Sequence, residues 1–139
     1  MTSSFALLLH GGMHGAWCWE RVIPHLRHRT IAIDLPGRPG AGKQPPTLDG
    51  FAETVVDAIN DEPGDAVIVA HSLAGIVALA AAERAPGKIR KTIFVSAGCC
   101  CNLGREPRKL RFYCVINAMC LCCQAVSNTR LTITASGFG

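Results

Sequence analysis

Four short apolar runs, separated by amphipathic stripes and by turns rich in glycine and proline, punctuate residues 1–98. Phe5, Ala6, Leu7, Leu8 and Leu9 run without polar alternation into His10-Gly11-Gly12, as a strand buried on both faces does. A second run, Thr30–Ile33, is closed by Asp34-Leu35-Pro36-Gly37. Residues 66–70 (Ala-Val-Ile-Val-Ala) form the third and residues 89–96 the fourth. Between them the period lengthens. Trp19, Val22, Ile23 and Leu26 predict a helix over residues 17–26, and Phe51, Val55, Val56 and Ile59 predict one over 49–60. An alanine-rich helix over 73–84 ends at Ala85-Pro86-Gly87, and the proline- and glycine-rich stretch 35–46 reads as a loop.

Strands alternating with helices and joined by short connections imply right-handed crossovers and a parallel sheet, an α/β fold. The pattern suits a nucleotide-binding fold or a hydrolase equally. Composition divides the chain. Residues 1–98 carry nine basic and nine acidic side chains, so the net charge of +4 comes from Arg105, Arg108, Lys109, Arg111 and Arg130 against Glu106. Seven of the eight cysteines also follow Gly98, leaving Cys18 alone before it. We therefore expect a unit over residues 1–98 and a distinct cysteine-rich, basic tail over 99–139. No apolar run reaches the roughly 18–20 residues of a spanning helix, and Met1-Thr2-Ser3-Ser4 lacks a basic leader. The expectation is a cytoplasmic protein that binds neither membrane nor nucleic acid.

Two local signals carry chemistry. The first is Ala70-His71-Ser72-Leu73-Ala74-Gly75, between the third strand and the third helix. A serine on such a turn stands at the sheet's carboxyl edge with a helix N-terminus behind it, provided its outer neighbours are small. Alanines hold the outer positions where glycines are usual. The competing reading of Ser72 is a simple helix cap. The second signal is His10-Gly11-Gly12-Met13-His14-Gly15, directly after the first strand. A glycine-rich loop there lets main-chain amides approach a substrate closely, or forms a plain turn or phosphate cradle. Neither GxGxxG nor GxxxxGK[ST] is present, and Pro45-Pro46 follows Gly40-Ala41-Gly42-Lys43 where a phosphate-binding helix would begin.

Taken together, these two signals resemble the α/β-hydrolase superfamily. The stretch Leu9-His10-Gly11-Gly12-Met13-His14-Gly15-Ala16-Trp17-Cys18-Trp19 is similar to the plant methylesterase and hydroxynitrile lyase group and its bacterial relatives. The resemblance covers about residues 5–98. It implies a partial α/β-hydrolase fold, a parallel sheet of about four strands with flanking helices, without the later strands and cap. It further implies that Ser72 is the nucleophile, that the Gly12 and Leu73 amides form the oxyanion hole, and that Gly11, Met13 and His14 line the substrate site. In the lyase branch a threonine stands where this chain has Gly11, so the resemblance favours ester hydrolysis. The expected partner is a small-molecule ester. Neither cofactor nor metal is expected, and the oligomeric state is left open.

The family order is serine, then aspartate or glutamate, then histidine. Here all five histidines (10, 14, 25, 28 and 71) precede Ser72, and only Glu83 and Glu106 follow it as carboxylates. His10 and His14 are the histidines the loop can bring near Ser72. The expectation is an impaired or inactive esterase, with a non-catalytic binding protein as the alternative. For the tail, Cys120 and Cys123 make a formal CxxC pair, but adjacent thiols at Cys99-Cys100-Cys101 and Cys122-Cys123 do not match zinc spacing. A disulfide framework needs a secreted setting, and Arg105 to Arg111 with Phe112 and Tyr113 is a weak nucleic-acid signal. The preferred expectation is a tail left by a frameshift or alternative exon.

Overall fold

A computed structural model of the chain describes residues 3–97 and the backbone of 112–115. Five strands form one parallel sheet: β1 (Ser4–Leu9), β2 (Thr30–Ile33), β3 (Asp65–His71), β4 (Ile89–Val95) and β5 (Phe112–Val115). Their order across the sheet is β2-β1-β3-β4-β5. Two helices follow β2 and β3 respectively, α1 (Leu48–Asn60) and α2 (Ala74–Arg84).

The parallel sheet and the first four strands agree with the hydrophobic pattern to within a residue or two. Two features differ. The predicted helix over 17–26 is instead a pair of 3-10 turns, Ala16–Trp19 and Ile23–His25. Pro24 explains this, because it sits in the first turn of the second piece and has no N–H to give to a continuous helix. The second difference is β5, which pairs with β4 from Thr92↔Phe112 to Val95↔Val115 and lies beyond residue 98. The CxxC pair and the arginines of the tail lie outside the described residues.

Crossover handedness sorts the connections. β1→β2 runs one way across the sheet, while β2→β3 and β3→β4 run the other, so α1 and α2 share a face opposite the 3-10 turns. On that shared face Phe5, Leu7, Leu9, Ala66, Ile68 and Ala70 meet Val55 and Ile59 of α1 and Val77, Ala78 and Ala81 of α2. Each Leu, Ile or Val so buried contributes about 1.5–3 kcal/mol. Small side chains on α2 (Ala74, Gly75, Ala78, Ala81 and Ala82, all buried) keep it close to the sheet. Thr47 starts α1, its Oγ1 accepting the Gly50 N–H at 3.1 Å. Among the described residues no helix is long and apolar enough to cross a membrane.

Candidate active site

Because β1 has β2 on one side and β3 on the other, the chain leaves β1 and β3 in opposite directions. Such a reversal of direction marks a topological switch point, and open α/β sheets bind ligands in the crevice outside the carboxyl ends of the strands there. The loops after β1 and β3 carry Gly11 to Gly15 and Ser72 to Leu73, the two signals found in the sequence.

Ser72 has φ +53°, a left-handed conformation that costs a non-glycine residue roughly 1–2 kcal/mol. One long-range and one local hydrogen bond hold it there. Its N–H donates to Val95 O of β4 at 3.1 Å, and its carbonyl accepts the Gly75 N–H at 3.1 Å. The helix-cap reading fails: Leu73 is the N-cap residue of α2, and no side chain caps that helix. The small flanking residues have a visible reason, since Ala70 and Ala74 are both fully buried beside the turn.

Gly11 lies against this turn. A Cβ added there would fall 2.8 Å from His71 Nδ1 and 3.1 Å from Ser72 Cβ, so any larger residue would have to displace the His71 ring and crowd Ser72. Gly12 faces the Leu73 side chain, its Cβ position 3.7 Å from Leu73 Cδ2. Among the described residues neither the Gly12 nor the Leu73 N–H has an acceptor, whereas the Ser72, Gly75 and Ile76 amides are all engaged. Met13 stands out from the loop, 86% exposed, at φ +64°. Asp34 holds the following turn, its Oδ1 accepting the Ala16 N–H at 2.7 Å.

The histidines divide into two groups. His10 is buried beneath the loop, its nitrogens bonded to Gly11 O (2.8 Å) and to the Leu35 N–H (3.0 Å). His14 stacks on His71, the next residue to the serine, with ring centroids 5.6 Å apart and planes within 9°. Trp17 meets His14 edge-on and Trp19 meets His71 edge-on, at 5.7 and 6.5 Å. His14 Nδ1 and Trp19 Nε1 are buried without a hydrogen-bond partner among the described residues. This ring cluster was not singled out from the sequence. Its only trace there is the spacing of His14, Trp17 and Trp19.

Burial lowers the His71 pKa, and the neighbouring His14 lowers it further. On acidification through about pH 6.5, the unfolded chain therefore takes up a proton before folded His71 does. Stability contributed by the neutral ring is complete above that pH and is lost as the pH falls below it. The urea midpoint is thus expected to drop between pH 7 and 5 more steeply in the wild type than in His71→Gln. Equal slopes would remove His71 from the account. Cys18 offers no competing nucleophile. Burial raises its pKa, with Asp34 adding to the rise against a backbone hydrogen bond that lowers it, so the unreactive thiol form is favoured.

Comparison with known proteins agrees with this geometry. Residues 6–119 match the family described as the alpha/beta hydrolase family. Methylesterase 9 of Arabidopsis thaliana is 39% identical over 100 residues, covering 66% of this chain and 39% of that protein. Esterase PIR7B of Oryza sativa subsp. japonica is 36% identical over 104 residues, covering 68% and 39%. Among solved structures, a pyrethroid hydrolase from Sphingobium faniae JZ-2 superposes with TM-score 0.60 at 26% identity, covering 69% of this chain and 40% of that one. A tomato methylketone synthase I variant bound to beta-ketoheptanoate gives TM-score 0.58 at 27% identity, covering 70% and 40%. The chain spans about two fifths of the length of these relatives. Its matched region takes in both loops of the crevice and the strands that carry them, and the chain belongs to the alpha/beta hydrolase family.

Proposed function

We propose that this chain carries the nucleophile and oxyanion-binding part of a serine hydrolase for small carboxylic esters. Ser72 attacks the ester carbonyl, and the Gly12 and Leu73 amides receive the negative charge that develops on its oxygen. The observation that carries the reading is Ser72 at φ +53° on the turn from β3 to α2, with Gly11 packed against its Cβ. Strain of this kind persists where surrounding contacts enforce it, and it concentrates at functional sites. Two unbonded amides on opposing loops supply the donors that acyl transfer requires. The names of the relatives, a methylesterase and an esterase, favour esters as the substrate class.

The 139 residues give Ser72 no histidine beyond His71 and no carboxylate beyond Glu83 and Glu106. Glu83 is exposed on α2, and both nitrogens of His10 are already bonded. For these 139 residues taken by themselves, the second reading is a protein that binds an ester in the crevice without cleaving it. A fluorophosphonate probe separates the two. Phosphonylation of Ser72, located by peptide mass spectrometry and absent in Ser72→Ala, supports the hydrolase. Saturable, reversible ester binding with Ser72 unmodified supports the binding protein.

A further inference from the structure

His10 lies at the end of β1, 3% exposed, and its two hydrogen bonds fix its chemical state. The Leu35 N–H can only donate, so His10 Nε2, 3.0 Å away, must present a lone pair. The ring proton then sits on Nδ1 and is donated to Gly11 O at 2.8 Å. The 4.0 Å approach of Nε2 to Asp34 Oδ1 is not an ion pair, because Nε2 is the acceptor for Leu35 and that carboxylate oxygen serves Ala16. A neutral imidazole thus ties the loop after β1 to the turn after β2.

The consequence lies in the next amide. In a trans peptide the C=O and the following N–H point in opposite directions. No peptide bond among the described residues is cis. Gly11 O points back toward buried His10 and also accepts the His14 N–H at 3.3 Å. The Gly12 N–H of the same peptide plane therefore points away from His10, and Gly12 itself is exposed. Without the His10 bond, only the longer bond from the His14 N–H would resist rotation of this plane between two flexible glycines.

We propose that His10 is a positioning residue: by holding the Gly11 carbonyl, it aims the Gly12 N–H at the oxygen of a substrate bound to Ser72. This rests on the proposed hydrolase reading for its catalytic meaning, whereas the clamp itself is a property of the folded chain. His10 acts through the peptide and touches no reacting atom.

Two substitutions dissect it in the 139-residue chain, with a fluorophosphonate as the probe. His10→Asn places an amide N–H near the Nδ1 position and keeps the bond to Gly11. His10→Gln reaches the Nε2 position toward Leu35 and leaves Gly11 O with only the 3.3 Å bond from the His14 N–H. The maximal phosphonylation rate of Ser72 is expected to stay within about threefold of wild type in His10→Asn. In His10→Gln it is expected to fall about 10²-fold, the effect of losing one oxyanion donor, with half-saturating probe concentration and thermal midpoint little changed. Equal rates in the two variants, or losses that merely track their thermal midpoints, would overturn the proposal. A long-range proton–nitrogen NMR spectrum of Ser72→Ala, which cannot react, reads the clamp separately. It should show His10 protonated at Nδ1 alone, and a ring protonated at Nε2 would overturn the clamp. Absence of labelling in wild type with the Nδ1 signal present would instead count against the hydrolase reading and leave the clamp standing.

Discussion

Turnover of a small activated ester by the 139-residue chain is expected to rise by about tenfold or more when imidazole is added, and to vanish in Ser72→Ala. A positioned general base is worth typically 10² to 10⁴ in rate, and a freely diffusing one recovers part of that. Without a base, an oxyanion hole and binding crevice still leave roughly 10³ to 10⁴ over water. The background should thus be measurable and the increment visible above it. Initial rates against imidazole concentration, in wild type and Ser72→Ala, provide the check. Imidazole should give the same small increment with Ser72→Ala as with buffer alone, because no acyl-enzyme can form. A Ser72→Ala protein as active as wild type would place the chemistry elsewhere.

The largest expected effect on stability lies away from the site, at Gly64. This residue precedes β3 at φ +93°, and a Cβ there would fall 1.9 Å from the Ser3 carbonyl oxygen. That oxygen accepts the Asp65 N–H at 3.0 Å, the bond that brings the ends of β1 and β3 together. Gly64→Ala would incur roughly 1–2 kcal/mol of left-handed strain. Displacing backbone to clear the overlap costs about 1–3 kcal/mol more, since backbone cannot yield as a flexible side chain can. A loss of about 3 kcal/mol lowers the melting temperature of a domain this size by some 12–20 °C, readable by circular dichroism. A shift of only a degree or two would show that β1 and β3 tolerate a changed approach.

Much of the architecture was legible because parallel strands read as continuous apolar runs even where, as in β3, one face is buried and the other half-buried. Leu7-Leu8-Leu9 and Ala66 to Ala70 could hardly be anything else once glycine bounded them. The segment 17–26 misled because Trp19, Val22, Ile23 and Leu26 have helical spacing, and Pro24 was outweighed by that period. β5 was not legible because its four residues sit among arginines and cysteines that carry no strand period. At the site, the position of Ser72 could be read from the small residues beside it. Its conformation could not, since serine carries no general preference for φ +53°. The bridge through His10 is a tertiary fact joining residues 25 apart, and a histidine wedged between an apolar strand and Gly-Gly was its only sequence trace.

The hydrogen bond from Ser72 N–H to Val95 O has a consequence for how the protein comes into being. It ties the serine's strained backbone to a strand 23 positions later, so the turn has no such support until β4 has docked beside β3. A nascent chain that has emerged only as far as α2 already contains Ser72, but the residue is free to relax out of the left-handed region. The left-handed geometry of Ser72 therefore matures with the sheet. A ribosome-bound or proteolysed fragment lacking β4 would lack the bond that holds the serine in that geometry.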